Sequence, residues 1–475
     1  MTNNFIFQQI EQFLEYRPTD EQRAAIDDFI AFLCARDERI LLLFKGYAGT
    51  GKTSLLGAAV KALTGMRQKT ILMAPTGRAA KVFSRYAGQN AFTIHKKIYR
   101  QKTFSNEPDG FSRAPNMYKD TLFIVDEASM ISNRPGEMHV FGSGRLLDDL
   151  IRYVYEGERC RLILIGDAAQ LPPVMQTESP ALNVNLLSGY MLSVKEISLT
   201  HVVRQNEDSG ILFNATLIRE SLRRQQIRDY PKLRLHCFAD VKKIGGDELV
   251  EAVSRAYSHD GIDETMVICR SNKRALTYNN GIRNLILYRE EEISAGDRLM
   301  VVKNNYFFSM PQQGMDFIAN GEIVEVIRVR RTMEMYGFRF CDVLVRFPDY
   351  DVETDIRILL DVLQSESPSL PKELNDKLFF SVWEDYADET TKAGKIGKIK
   401  VDPYYNAVQV KYAYAITCHK AQGGQWQNVF LDIGFVTKEM LGEDFYRWLY
   451  TAFTRATERL FLVNLPDEFE RGGGG

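Results

Sequence analysis

The sequence predicts an α/β protein: two domains built on parallel sheets, a β-hairpin arm in the first and a small β-barrel inserted in the second. Three observations carry this. Apolar runs recur with helical stretches between them, at residues 40–44, 70–74, 122–125, 162–165, 266–269, 408–416, 429–433 and 460–463. Uninterrupted Val/Ile/Leu runs suit strands buried on both faces, as in parallel sheets. The runs also form two groups, one before about residue 205 and one mostly after 260. Finally, 323–330 and 338–347 alternate apolar with polar residues, the period of half-exposed antiparallel strands. The expected division is 1–205 for the first domain, 206–321 with 408–471 for the second, and 322–407 for the barrel. Residues 472–475, all glycine, read as a flexible tail.

Composition bounds the class. Hydrophobic residues make up 45% and charged residues 26% of 475, ordinary for a globular chain. No run reaches the ~18 apolar residues of a membrane span, and the N-terminus lacks a secretory layout, so a cytoplasmic protein is expected. The six cysteines (Cys34, Cys160, Cys237, Cys269, Cys341, Cys418) show no zinc spacing and read as reduced, mostly buried thiols. A formal net charge of −2 does not exclude a nucleic-acid binder, because a local basic groove is enough. No internal sequence repeat is evident.

Taken in order, the first strand leads into Gly46-Tyr47-Ala48-Gly49-Thr50-Gly51-Lys52-Thr53. This matches the phosphate-loop pattern Gly-x4-Gly-Lys-Ser/Thr, followed by a helical stretch from Ser54. Glycines let the amides of Gly46 to Thr53 close around a polyphosphate, and the helix N-terminus adds a favourable dipole. Lys52 is placed for the β- and γ-phosphates, and the Thr53 hydroxyl for Mg²⁺. An isolated glycine loop occurs by chance; strand, loop, Lys-Thr and helix together point to an NTP.

Residues 98–120 are polar and turn-rich, with Phe104 and Phe111 isolated in them, and fit a hairpin arm. The strand at 121–125 ends in Asp126-Glu127. Asp126 would hold Mg²⁺ and Glu127 would orient and deprotonate the attacking water; most Asp-Glu pairs are solvated surface, and the buried strand before this one favours the functional reading. The strand at 162–165 ends in Gly166-Asp167-Ala168-Ala169-Gln170, where Gln170 either senses the γ-phosphate or belongs to a plain turn. Arg204 and Arg455 are candidates for stabilising transition-state charge, although most arginines are surface ion pairs. Residues 373–385 read as a helix and 392–400 as a Lys/Gly-rich loop. Such a lysine run is more often solvated than phosphate-bound.

The motifs, in their order, resemble those of a superfamily 1 helicase of the 5′→3′ group, RecD-like and Dda-like. The matching strings are Thr19-Asp20-Glu21-Gln22, the phosphate loop, Ala74-Pro75-Thr76-Gly77-Arg78-Ala79-Ala80, Asp126-Glu127-Ala128-Ser129, the Gly166–Gln170 string, Thr417-Cys418-His419-Lys420-Ala421-Gln422-Gly423, and 450–456. The likeness extends from residue 19 to 463. It implies two RecA-like domains with ATP and Mg²⁺ between them, Gln22 against adenine, Ser54 and Gly423 beside the nucleotide, and Arg204 and Arg455 reaching across a cleft. It also implies an SH3-like barrel and a strand-separating pin on the arm. Where many relatives carry Glu after the His-Lys-x-Gln-Gly string, this chain has Gly424-Gln425-Trp426. The segment 133–144 has no assigned role.

Thr76, Arg78, His95, Thr417, His419 and Lys420 are the candidates for gripping single-stranded and forked DNA. For His95 and His419 the alternative is a structural hydrogen bond at a strand end. The expected activity is a monomeric ATP-dependent DNA helicase moving 5′→3′. Its rivals are an RNA-directed enzyme of the same superfamily, separable by DNA against RNA stimulation, and a nucleotide-switched remodelling module, separable by strand displacement.

Overall fold

Alternate residues of the first strand enter different cores, and that alternation builds the molecule. In the computed structural model the described residues are 3–101, 111–135, 142–202, 209–308, 310, 315, 317–348 and 350–470. Strand β1 (Ile40–Gly46) sends Leu42 and Phe44 against Leu55, Leu56 and Val60 of the helix Lys52–Gly65. Leu41 and Leu43 face the other way, toward Phe123, Leu147 and Ile151. A strand buried on both faces has no room for polar residues, which is why β1 reads as a continuous apolar run.

The remaining strands of this half are β2 (Lys69–Ala74), β3 (Ala91–Thr93), the hairpin pair β4 (Tyr99–Gln101) and β5 (Phe111–Arg113), β6 (Thr121–Val125), β7 (Arg161–Gly166) and β8 (Ser193–Leu199). Five of them, with β1, form a parallel sheet in the order β3-β2-β6-β7-β1-β8. The edge strand β8 escaped the sequence reading because Lys195, Glu196 and Ser198 interrupt its apolar residues. An edge tolerates such residues.

The second half contains β9 (Val241–Ile244), β10 (Thr265–Cys269), β11 (Arg298–Val301), β12 (Ile323–Met335), β13 (Phe338–Phe347), β14 (Val352–Leu359), β15 (Val408–Tyr412), β16 (Ala415–Thr417), β17 (Trp426–Asp432) and β18 (Ala456–Val463). A parallel sheet runs β16-β10-β17-β18-β9, and β11 to β15 close a barrel. The barrel is larger than the expected 322–407 insertion, because β11 and β15 lie outside that range. The apolar run 408–416 is two strands, not one. Tyr412 pairs with Leu299 in the barrel, whereas Ala415 pairs with Val267 in the sheet. Tyr414 lies between them, its hydroxyl 2.9 Å from Asp297 Oδ1, and Asp297 also takes the Arg283 and Arg289 guanidiniums. This buried cluster fixes the barrel to the sheet.

Residues 392–400, expected as a loop, form the helix Lys392–Lys400. Its Thr391 hydroxyl accepts the Gly394 N–H at 3.0 Å, and Ile399 packs into the barrel-side core. Capping and one buried anchor outweigh two glycines. The arm is a hairpin, but Phe111 is buried at its base, its ring 4.7 Å from Tyr306 and 6.1 Å from Phe317. Phe104 lies outside the described residues. Cys160, Cys269, Cys341 and Cys418 are buried; Cys34 and Cys237 are exposed. No described helix is long and apolar enough to cross a membrane.

Candidate functional site

Strand β1 delivers the phosphate loop to the end of the sheet. Gly49 and Gly51 adopt φ of +78° and +82°, a left-handed backbone that favours glycine. A Cβ on Gly51 would lie 2.7 Å from both Gln22 Nε2 and the Tyr16 hydroxyl, so sterics as well as conformation require glycine there. Helix Lys52–Gly65 starts at the next residue and turns its free N-terminal amides toward the loop. Lys52 Nζ donates to Tyr47 O at 2.9 Å, as does Thr50 Oγ1 at 2.8 Å.

Between the halves opens a cleft of about 580 Å³. Ala48, Gly49, Gly51, Lys52, Thr53, Ser54, Asp126, Glu127 and Gln170 line it from the first lobe, and Gly423 and Arg455 from the second. Gly46 and the fully buried Thr50 support the loop from behind. Arg204 lies outside the described residues. Gln22 is buried, and its amide is committed to the loop: Nε2 donates to Thr50 O at 3.0 Å while Oε1 accepts the Thr19 N–H at 3.1 Å. The sequence reading did not single out Glu15, Tyr16, Val82 and Tyr86, which also line the cleft. Val82 and Tyr86 sit in the helix Gly77–Ala87, and Glu15 and Tyr16 in the connection before Asp20; neither stretch carries a motif at those positions.

Asp126 sits at the end of β6, buried, with Oδ1 accepting the Glu127 N–H at 2.8 Å. Burial, then repulsion from Glu127, pushes its pKa up to about 7. Glu127 itself holds φ +52°, ψ +37°, a left-handed conformation that costs a non-glycine residue on the order of 1 kcal/mol. That turn brings a second carboxylate to the cleft immediately after the first. Gln170 Oε1 and Ser129 Oγ are buried with no hydrogen-bond partner among the described residues.

Thr53 and Asp126 offer a hydroxyl and a carboxylate, the hard oxygen donors that Mg²⁺ takes together with phosphate and water. Among the described residues no three His, Cys, Asp or Glu side chains converge on a metal-sized point. The donor set therefore fits a cation shared with a polyphosphate better than one caged by protein.

Arg455 is buried and aligned by its own lobe. Nε donates to Thr451 O, Nη1 to Gly424 O and Nη2 to Thr454 Oγ1, each at 3.1 Å. A guanidinium has five N–H groups, so two remain for a ligand. The lobes are also stitched directly. Arg447 donates to Gln170 O at 3.2 Å, Gln422 Nε2 to Leu171 O at 2.7 Å, and the Leu171 N–H to Thr451 Oγ1 at 2.9 Å. Close approach at Gly423 has the same origin, since a Cβ there would lie 2.8 Å from Ala79 Cβ.

The six candidates for nucleic-acid contact lie outside this cleft. Thr76 and His95 follow β2 and β3, adjacent strands of the first sheet, and Thr417 ends β16 on the second. Thr76 caps the helix Gly77–Ala87. Arg78 stacks over Trp426 at 4.0 Å and donates to Gln425 O at 3.2 Å, so it joins the two lobes. Burial pushes the His95 pKa down to about 4, leaving a neutral imidazole at pH 7. Thr417 and Lys420 border a second, small cavity with Asn272 and Lys411. Burial, then the like charge of Lys411, lowers the Lys420 pKa to about 8.

Comparison with known proteins gives the following similarities. An AAA domain profile matches residues 17–237, and a UvrD-like helicase C-terminal domain profile matches 412–463. The chain is 26% identical to the ATP-dependent DNA helicase dda of Enterobacteria phage T4, covering 94% of this chain and 99% of that one. It is 24% identical to the ATP-dependent RecD2 DNA helicase of Deinococcus radiodurans, covering 89% and 46%. An uncharacterized protein of Acanthamoeba polyphaga mimivirus is 22% identical over 93% and 99%. A crystal structure of Pif1 helicase from Bacteroides in complex with ADP-AlF3 and ssDNA aligns over 96% of this chain and 95% of that one, at 17% identity and a TM-score of 0.47.

Proposed function

We infer that this chain is a superfamily 1 helicase of the 5′→3′ group, in the RecD-, Pif1- and Dda-like branch: an ATP-dependent enzyme that translocates on single-stranded DNA and unwinds duplex. The observation that carries the mechanism is the shared cleft, where Lys52, Asp126 and Glu127 of one lobe meet Arg455 of the other. Hydrolysis that needs groups from both lobes must draw them together, and product release must let them part.

Within the cleft each side chain has a separate task. The loop amides and Lys52 hold the polyphosphate. Thr53 and Asp126 would hold Mg²⁺, which when bound would supply positive charge beside the phosphate oxygens. Glu127 orients water and takes its proton, and Gln170 offers its unpartnered carbonyl oxygen to that water. Arg455 spends its two spare N–H groups on the transferring phosphoryl, an interaction worth about 10³–10⁵ in rate where such arginines have been removed. Arg204 is assigned the same work on sequence alone. Gln22 acts through the loop backbone, and base contact falls to the wall of Glu15, Tyr16 and Tyr86.

Thr76, His95, Thr417, His419 and Lys420 lie at strand ends on the two sheets and grip the DNA strand. Arg78 serves the lobe interface instead. The substrate is single-stranded or forked DNA, and the enzyme works as a monomer. Purified protein should hydrolyse ATP several-fold faster with single-stranded DNA than without it, and should displace a strand from a 5′-tailed duplex. No stimulation, or displacement only from a 3′ tail, would overturn the activity or the polarity respectively.

A further inference from the structure

Tyr450 lies on the last turn of the lobe 2 helix Glu443–Phe453, buried, and two residues of lobe 1 converge on its hydroxyl. The oxygen accepts the Ala48 N–H of the phosphate loop at 2.8 Å. The same hydroxyl donates to Asp167 Oδ2 at 2.7 Å. The other Asp167 oxygen accepts the Ala169 N–H at 2.9 Å, so the carboxylate is buried at the wall of the cleft and held by neutral donors. One phenol thus connects the phosphate loop, the loop after β7, and the helix whose C-terminus leads into Arg455.

Its neighbours make that connection directional. The Leu171 N–H and carbonyl are both taken by lobe 2, through Thr451 Oγ1 and Gln422 Nε2. The Gly166–Leu171 segment is therefore tied to lobe 2 on both edges of one residue. Thr451 O in turn receives Arg455 Nε at 3.1 Å. Of these bonds, the one from Tyr450 to Ala48 reaches the phosphate loop itself. When the loop rearranges around phosphate, that bond must strain, break or drag the helix with it. A phenylalanine would fill the same volume and keep the packing, but would leave the Ala48 N–H and the Asp167 carboxylate without their shared partner.

We propose that Tyr450 is a positioning residue that couples the nucleotide state of the phosphate loop to the DNA grip of lobe 2, acting through its paired bonds to Ala48 and Asp167. This rests on the helicase reading above. It deepens that reading by naming the side chain through which the two ligand sites communicate.

The test measures coupling rather than activity. The affinity of full-length protein for a fluorescein-labelled oligo(dT) is read by anisotropy with and without AMP-PNP and Mg²⁺, for wild type and Tyr450→Phe. Linked sites typically shift each other's affinity by about 5- to 150-fold. The wild-type ratio should fall in that range, and the Y450F ratio should collapse to within about twofold of unity. In Y450F the KM for ATP should stay near wild type while the DNA-stimulated kcat falls. A merely structural tyrosine predicts the reverse: both affinities weaken and the thermal midpoint drops, with the ratio preserved, and that result overturns the proposal. If Y450F does not fold, Asp167→Asn reports on the same chain, and an unchanged ratio there also overturns it. A wild-type ratio of one, with no DNA-stimulated hydrolysis, would instead refute the helicase reading on which the proposal stands.

Discussion

The two lobes repeat one strand order and diverge at its loops. Read from matching edges, β3-β2-β6-β7-β1 corresponds to β16-β10-β17-β18-β9. After β1 the backbone opens through two left-handed glycines and leaves its amides facing the cleft. After β9 the amides are already used: the Gly245 N–H donates to Glu248 Oε2 and the Gly246 N–H to Asn464 Oδ1, both at 2.8 Å. A carboxylate of the chain occupies that turn, and it would repel a phosphate. At the end of β6, Asp126 is buried without a basic partner within ion-pair distance among the described residues. At the end of β17, Asp432 is equally buried but takes Arg274 Nε at 2.5 Å and the Tyr278 hydroxyl at 2.6 Å. The open amides and the carboxylate without an ion-pair partner among the described residues thus lie on lobe 1, and lobe 2 satisfies both equivalent groups internally. A third position did not diverge. Thr93 ends β3 and leads into Ile94-His95-Lys96, and Thr417 ends β16 and leads into Cys418-His419-Lys420. What the lobes share is a Thr-x-His-Lys turn; what separates them is the fate of the loop amides and of the strand-end aspartate.

The largest expected effects fall where the lobes differ most. Lys52→Ala should reduce ATP hydrolysis to background, because no lobe 2 group can replace the loop lysine. Arg455→Ala should lower the DNA-stimulated kcat by about 10³-fold or more while changing nucleotide affinity far less. Steady-state ATPase beside mant-ADP titration separates the two. A comparable loss of affinity and rate would mean that Arg455 holds the ground state, and the division of labour between the lobes would fail.

The two buried aspartates should respond to mutation with opposite signs. Arg274→Ala strips the cation from Asp432. Orphaning a buried ion-pair partner costs roughly 3–5 kcal/mol, and the true figure should lie at the lower end because Arg274 is half exposed and Tyr278 remains. Asp126→Asn removes a charge that the fold already disfavours. The folded pKa of Asp126 is near 7, against about 4 for an unfolded carboxylate. Between those values the unfolded chain has released the proton and the folded one has not. Wild-type stability is therefore lost as pH rises from about 4 to about 7. D126N should melt above wild type at pH 7.5, with the two curves converging toward pH 4, in scans run in EDTA without nucleotide. Parallel curves would show that burial does not disfavour the Asp126 charge and that the lobes do not differ there.

Most of this architecture was legible in the sequence where burial and chemistry act over a few adjacent residues. The interior strands β1, β2, β6, β7, β10 and β17 could be read because a strand covered on both faces must be apolar throughout. Edge strands β8 and β9 could not, since half their residues meet solvent. The run at 408–416 deceived because two strands of different sheets, joined by Ala413 and Tyr414, are each buried. The phosphate loop, Asp126 and Glu127 announce themselves by spacing. Tyr450 and Arg78 fall inside motif strings, but their partners Ala48, Asp167 and Trp426 lie hundreds of positions away and no local pattern announces those contacts. The repeat itself was invisible in the sequence: three residues of four repeat, and only the matching strand orders make that match meaningful.

The smallest effects should come from the shared grip. Lys96→Ala and Lys420→Ala should each weaken oligo(dT) binding alike for any base sequence, and each should reduce the slope of log affinity against log salt by about 0.7, the contribution of one single-strand phosphate. The two lysines then part on pH. Burial and the like charge of Lys411 hold the Lys420 pKa near 8, so this cation is mostly present at pH 7 and fades as pH rises through 8. Wild-type affinity should decline over that interval. Lys420→Arg, which stays charged, should flatten the decline without restoring the lysine's hydrogen-bond geometry. If wild type and K420R follow one pH profile, Lys420 does not touch phosphate, and the correspondence between the two Thr-x-His-Lys turns would be one of fold alone.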